Sequence, residues 1–243
     1  MMPARTLGTA LLLLCLAGHA SAGDAYATAR QAMVRLIEAD VRQTSLYLDR
    51  DALDPRVMAA LGRVPRHEFV PASRRREAYL NRPLPIGHGQ TISQPYIVAI
   101  MTDLVKPRPS HRVLEVGTGS GYQAAILAEL VKEVYSIEII EPLAEAARAR
   151  LARLGYDNVR VRLGDGYYGW PEHAPFDAIV VTAAASHIPP PLLQQLKPGG
   201  RMIIPVGSRF LVQQLVMVEK DRKGGYTTRQ ILPVRFVPLT GKH

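Results

Sequence analysis

From about residue 109 onward the apolar positions fall into short runs, at 112 to 116, 134 to 139, 159 to 163, 177 to 182 and 202 to 206. Amphipathic stretches near 121 to 131, 142 to 154 and 189 to 196 separate them and read as helices. Apolar runs this short are strands buried on both faces, and their alternation with helices describes a parallel sheet covered on both sides. The tail, 210 to 219 and 229 to 237, has only the Lys220 to Gly225 turn cluster between its runs and reads as an antiparallel closing pair. The predicted class is α/β: a doubly wound, mostly parallel sheet with a small N-terminal helical layer and antiparallel C-terminal strands.

That N-terminal layer has its own pattern. Within residues 30 to 48, Met33, Ile37 and Val41 recur four apart among charged neighbours, the spacing of one helical face. Asp54-Pro55 offers an N-cap followed by proline at the first helical position, and Gly62 reads as that helix's stop. From Pro65 to Pro95 the chain carries five prolines together with Gly87 and Gly89, so it reads as loop outside the core. Loops on a rigid scaffold are where function concentrates.

Residues 1 to 22 differ again: Arg5, an apolar core from Leu11 to Leu16, and the small-residue stretch Ala20-Ser21-Ala22 form a secretory signal pattern. The apolar core is far shorter than the roughly 20 residues of a membrane span, so no stable membrane insertion of the mature chain is expected. The remainder, 23 to 243, reads as one domain: a helical and loop layer over 30 to 108, a core over 109 to 207 and closing strands over 208 to 243. If Met33 is the true start, the leader vanishes and the protein is cytoplasmic. If Met1 is, export follows.

Composition narrows the chemistry. The chain has 243 residues with 30 Lys and Arg against 21 Asp and Glu, a net charge of +9. The excess is scattered, with Arg74-Arg75-Arg76 the only run of three, which is a solvated face rather than a nucleic-acid footprint. Cys15 is the sole cysteine, so a disulfide scaffold is excluded, and the seven histidines are too dispersed to suggest a metal site.

The chemistry gathers at one loop. Strand Val113 to Val116 runs into Gly117-Thr118-Gly119-Ser120-Gly121, and a helix follows from Tyr122. Glycines there let the backbone approach a nucleotide-type ligand, with helix N-terminal N–H groups left to point at it. Tyr122 stands where the dinucleotide fingerprint places its last small residue, which disfavours NAD. Glu115 ends the first strand, Glu138 ends the second and is placed to accept ribose hydroxyls, and Asp165, beside Gly166, follows the third within reach of an adenine amino group.

The block Val113 to Tyr122 resembles motif I of class I S-adenosylmethionine-dependent methyltransferases. More narrowly, Val64 to Pro71 (VPRHEFVP), Gly87 to Pro95 (GHGQTISQP), Phe176 to Ala184 (FDAIVVTAA), Leu196 to Gly207 (LKPGGRMIIPVG) and Val234 to Leu239 (VRFVPL) are similar to the protein-L-isoaspartate O-methyltransferase family. The resemblance runs from about Met33 to Leu239. Residues 1 to 32 lie outside the common family pattern, and His88 stands where that pattern often has an aromatic residue or Gln.

The resemblance implies methyl transfer from S-adenosyl-L-methionine to the free carboxyl of isoaspartyl residues in damaged proteins and peptides, by a monomer, in the cytoplasm where the donor is made. It places the donor against Glu115, Gly117, Thr118, Gly119, Gly121, Glu138, Asp165 and Gly166. Ser93 becomes the orienting catalytic residue, Gln90 and Thr91 shape its loop, Ala183 and Ala184 admit a peptide backbone, and Val234 and Arg235 bind an extended peptide. A carboxylate nucleophile with a pKa near 4 is ionised at neutral pH, so no catalytic His or Cys is needed. A nucleic-acid methyltransferase is the rival. It fails on residues, because Thr182-Ala183-Ala184-Ala185 replaces an acid or amide followed by Pro-Pro-aromatic, and no cysteine follows Cys15. A binding module of the same fold without turnover is the second alternative.

Overall fold

The computed structural model describes residues 25 to 208 and 212 to 241; the signal-like segment lies outside them. Three helices open the chain: α1 (Ala27–Gln43), α2 (Ser45–Leu48) and α3 (Pro55–Arg63). The periodic stretch over 30 to 48 is therefore two helices. The break falls at Thr44, whose hydroxyl donates to the Asp40 carbonyl at 2.8 Å, a side-chain bond that competes with continuing the helix. Asp54 caps α3 as expected, accepting from the Arg56 N–H at 2.8 Å. Gly62 is not the stop. It sits inside α3, facing α1, and its carbonyl accepts from Arg30 Nε at 2.8 Å.

The proline-rich stretch is more ordered than its composition suggests. Two 3-10 turns, Arg66–Phe69 and Ala72–Glu77, precede a hairpin of β1 (Leu84–Gly87) and β2 (Gln90–Ile92), and α4 (Pro95–Leu104) follows. The expectation that it lies outside the core is corrected: Arg66, Phe69, Val70, Ala78, Leu84 and Ile92 are buried. Prolines here restrict the chain without exposing all of it: apolar residues between them, such as Phe69, Val70, Ala78 and Leu84, turn inward, while Ala72 to Glu77 stays outside.

The core then alternates as predicted: β3 (Arg112–Val116), α5 (Tyr122–Ala128), β4 (Glu133–Glu138), α6 (Glu141–Arg153), β5 (Val159–Leu163), β6 (Phe176–Val181), α7 (Pro190–Gln195), β7 (Leu196–Val206), β8 (Gln213–Lys220) and β9 (Tyr226–Val234). The seven-stranded sheet has the order β5-β4-β3-β6-β7-β8-β9. Strands β3 to β7 are parallel, and β7-β8 and β8-β9 pair antiparallel. Period-two alternation sorts the strands onto two cores: Val113, Val134, Ala178, Val180 and Ile203 face α1, α3, α4 and α5, whereas Leu114, Tyr135, Ile179 and Met202 face α7 and Trp170. Trp170 packs edge-on to Tyr135, with ring centroids 5.5 Å apart.

Candidate active site

Chain order reverses at β3. The strands after it in sequence, β4 and β5, lie to one side, and β6 lies on the other. Crevices form outside the carboxyl ends of strands at such a point, and the cleft here is floored by Glu115, Gly117, Gly119, Glu138 and Gly166. Gly117 has φ of 96°, and a Cβ there would sit 2.6 Å from Thr182 Oγ1. That hydroxyl donates to the Gly117 carbonyl at 2.6 Å and ties the loop to the end of β6.

The N–H groups of this loop correct the expectation that they point at a ligand. Those of Gly117 and Thr118 donate to the Ile137 carbonyl at 2.8 and 3.1 Å, and that of Gly121 donates to the Thr118 carbonyl at 2.7 Å. Gly119 N–H donates to Glu138 Oε2 at 2.7 Å, and Tyr122 N–H to Ser120 Oγ at 3.3 Å. A loop with most of its donors spent on its own scaffold is a poor pyrophosphate cradle. What it presents instead is acid.

Glu115 is 0% exposed. The Ser136 hydroxyl donates to its Oε2, Thr118 Oγ1 lies 2.5 Å from Ser136 Oγ, and Oε1 has no partner among the described residues. Burial pushes the Glu115 carboxyl up to about 8, against the Ser136 hydrogen bond and with help from the Glu138 charge. An orphaned buried carboxyl oxygen beside a second carboxylate is a site for a cationic ligand. A sulfonium compound bearing an amino group and a ribose fits the chemistry of this donor set.

A second cavity, about 390 Å³, adjoins the first, and Thr91, Ser93, Thr182 and Val237 line both. The β1-β2 hairpin delivers this wall through a turn in which Gly87, His88 and Gly89 all take positive φ. His88, with φ of 52°, is thus a turn residue. Gln94, not Ser93, is the N-cap of α4, and no side chain caps that helix. The Ser93 hydroxyl is therefore not committed to a capping role.

The segment after β9 departs from its reading as strand. Pairing with β8 ends at Val234↔Gln213, and Arg235 to Val237 lie outside the ladder. The Gln213 side chain replaces it: Phe236 N–H donates to Gln213 Oε1 at 2.6 Å, and Gln213 Nε2 donates to the Phe236 carbonyl at 3.1 Å. The Val237 carbonyl then accepts from Ala184 N–H at 2.8 Å. These bonds fold the segment across the end of β6 and make Val234 and Arg235 a wall of the second cavity.

The sequence pattern of the protein-L-isoaspartate(D-aspartate) O-methyltransferase (PCMT) family matches residues 44 to 243. The chain belongs to that family. Protein-L-isoaspartate O-methyltransferase 2 of Syntrophobacter fumaroxidans is 72% identical over 235 residues, 96% of this chain and 95% of the relative. Protein-L-isoaspartate O-methyltransferase 1 of Cupriavidus necator is 61% identical over 243 residues, 100% of this chain and 93% of its own, so residues 1 to 32 have a counterpart there. A solved protein-L-isoaspartate O-methyltransferase superposes with a TM-score of 0.75 at 28% identity, covering 87% of this chain and 66% of its own. The beta-aspartate methyltransferase of Plasmodium falciparum, in complex with S-adenosyl-L-homocysteine, shares the fold with a TM-score of 0.71 at 24% identity, covering 87% of this chain and 98% of its own.

The methyltransferase fold brings most of the sequence-derived candidates together. Gln90, Thr91, Ser93, Glu115, Gly117, Thr118, Gly119, Glu138, Gly166 and Ala183 line the first cavity, and Val234 and Arg235 line the second. Three stand back from the first cavity. Gly121, with φ of 87°, starts α5 and packs toward Leu151. The Asp165 side chain accepts from Tyr167 N–H at 3.0 Å, capping a 3-10 turn. Ala184 is spent on the Val237 contact. Sequence reasoning missed Thr182 and Arg66. Thr182 was legible as a hydroxyl ending β6, and Arg66 lies in the Val64 to Pro71 block, which marks the family but not where its side chain reaches.

Proposed function

We propose that residues of the two adjoining cavities carry out the family's reaction, transfer of the methyl of S-adenosyl-L-methionine to the free carboxyl of L-isoaspartyl residues in proteins and peptides. One observation supports this most: the acid-floored cleft and the neighbouring groove share the wall of Thr91, Ser93, Thr182 and Val237. Ligands in the two cavities would meet across that wall. When bound, the donor supplies an electrophilic methyl on a positively charged sulfur.

Glu138 takes the ribose hydroxyls, and Glu115, re-ionised by a cation above it, holds the charged end of the donor. Gly117 and Gly119 allow the backbone to approach. On the other side Ser93 Oγ orients the incoming carboxylate, joined by the Gln94 and Ile97 N–H groups at the start of α4. The Tyr96 N–H of the same turn is already taken by Asn81 Oδ1 at 2.9 Å. Because the nucleophile arrives ionised, the residues position it and exclude water, and none need remove a proton.

The partner in this reading is a polypeptide and not a nucleic acid. Local acids pair many of the arginines, as in Arg63–Glu129, Arg74–Glu77, Arg153–Glu68 and Arg162–Glu172, which disperses the +9 charge. Among the described residues no helix is long and apolar enough to cross a membrane. The compartment follows from the N-terminus of the native protein: Gly23 marks export, and Met33 marks cytoplasm.

Methyl release from labelled donor, with two peptides differing only in Asp or isoaspartate at one position, tests the function. Transfer confined to the isoaspartyl peptide is expected. Equal transfer to both, or to neither, overturns the substrate assignment.

A further inference from the structure

Arg66 is 0% exposed and stands opposite no carboxylate among the described residues. Its Nε donates to the Ala78 carbonyl at 2.8 Å and its Nη2 to the Ser93 carbonyl at 2.7 Å. The guanidinium carbon lies 4.7 Å from the centre of the Tyr122 ring, and Nη1 has no hydrogen-bond partner among the described residues. Burial lowers the guanidinium to about 10, which leaves it cationic at neutral pH. A buried cation without a counter-ion is costly, and an apolar side chain of similar size would serve stability better. Its place therefore calls for a reason in function.

The three groups it touches supply one. Tyr122 begins α5, directly after the glycine loop, and lines the donor cleft. The Ser93 carbonyl belongs to the wall shared by both cavities. Ala78 anchors the chain between the second 3-10 turn and the hairpin. Arg66 thus joins the donor side to the acceptor side from beneath.

The bond to Ser93 also sets a direction. In a trans peptide the carbonyl and the next N–H point opposite ways within one plane. Arg66 holds the Ser93 carbonyl inward, so the Gln94 N–H is turned away from the core. Neither that N–H nor the Ile97 N–H has an acceptor among the described residues, and both residues line the groove. A cation on the carbonyl end of the plane polarises the N–H at the other end, strengthening it as a donor to an anion.

We propose that Arg66 is a positioning residue: by gripping the Ser93 carbonyl while stacked on Tyr122, it fixes the Ser93–Gln94 peptide so that hydroxyl and N–H together receive the isoaspartyl carboxylate. This rests on the reading of Ser93 given above. Arg66→Lys tests it, because lysine keeps the charge but lacks the planar fork that reaches two carbonyls.

With folding checked by circular dichroism, Arg66→Lys should bind S-adenosylmethionine within threefold of the parent while kcat/KM for an isoaspartyl peptide falls at least tenfold. In a Ser93→Ala background the same substitution should cost several-fold less than in the parent, since residues acting as one unit are not additive, the remainder being the Gln94 N–H. Arg66→Lys within twofold of the parent, while Ser93→Ala alone is impaired, overturns the role of Arg66 and leaves that of Ser93 standing. A Ser93→Ala enzyme as active as the parent overturns both. Loss of donor affinity equal to the loss of rate, or full additivity, marks Arg66 as merely structural and also overturns the proposal. Should the lysine variant not fold, the unsubstituted protein answers. The Arg66 side-chain 15N–1H signals in the S-adenosylhomocysteine complex should shift with isoaspartyl peptide and stay unmoved with the aspartyl one, and identical responses overturn it.

Discussion

Replacing Glu115 by Gln separates what the buried carboxyl costs the fold from what it contributes to binding. An ordinary glutamate at 4.5 raised to about 8 corresponds, at 1.36 kcal/mol for each tenfold change, to roughly 5 kcal/mol as an upper bound, and a few kcal/mol once water penetration is allowed for. The sign follows from proton uptake. Between pH 4.5 and 8 the folded state holds a proton that the unfolded state has released, so stability from this group is greatest below 4.5 and is lost as pH rises to about 8. Glutamine is neutral throughout and resembles the protonated form.

Urea unfolding of both proteins from pH 5 to pH 9 should therefore show the variant gaining on the parent by about 2 to 4 kcal/mol across that range, after allowance for the amide's own unsatisfied hydrogen bond. Affinity should move the other way. The variant lacks the charge that a cationic donor re-ionises, so S-adenosylmethionine binding should weaken about 10-fold to 100-fold. In the parent, binding at pH 7 should release a proton, seen as a buffer-dependent titration heat. Parallel stability curves for the two proteins, or donor binding unchanged by the substitution, would refute the reasoning.

Three further substitutions probe separate parts. Gly117→Ala places a Cβ 2.6 Å from Thr182 Oγ1 at a backbone φ of 96°, and thermal unfolding should show a loss of about 1 to 3 kcal/mol together with weakened donor binding in equilibrium dialysis. Glu138→Ala removes the acceptor of the Gly119 and Ile140 N–H groups, at 2.7 and 3.0 Å; donor affinity measured by calorimetry should fall about tenfold or more, and an unchanged affinity would remove Glu138 from the ribose position. Gln213→Ala frees Phe236 from its two side-chain bonds, so steady-state kinetics should show KM for an isoaspartyl peptide rising several-fold with donor affinity unchanged.

The sheet was legible because its central strands are short, mostly apolar runs between helices, the pattern of burial on both faces; β5, VRVRL, alternates instead because it is an edge strand with no buried residue. The donor side was legible for the same reason: a strand, a glycine turn and acids at three successive strand ends are local signals. The groove was not, because what shapes it is nonlocal. Gln213 supports Phe236 across 23 residues and Arg66 supports Ser93 across 27, and no local pattern, the Val64 to Pro71 block included, shows where either side chain reaches. The proline-rich stretch misled because composition reports restricted backbone, not exposure. The glycine loop misled in a subtler way. Its glycines Gly117 and Gly119 do line the cleft, but most of its N–H groups answer to the protein itself, Ile137 and Glu138 among their acceptors, a fact of sheet register that no spacing displays.

The central claim is that an acid-floored cleft and a peptide groove meet at the wall formed by Thr91, Ser93, Thr182 and Val237. A crystal structure with S-adenosylhomocysteine and an isoaspartyl peptide tests it most directly. The account predicts the nucleoside on Glu138, the sulfur facing the shared wall, and the peptide carboxylate within hydrogen-bond reach of Ser93 Oγ and the Gln94 N–H. A nucleoside seated away from Glu115 and Glu138, or a carboxylate that approaches the sulfur without touching the Ser93–Gln94 peptide, would contradict it.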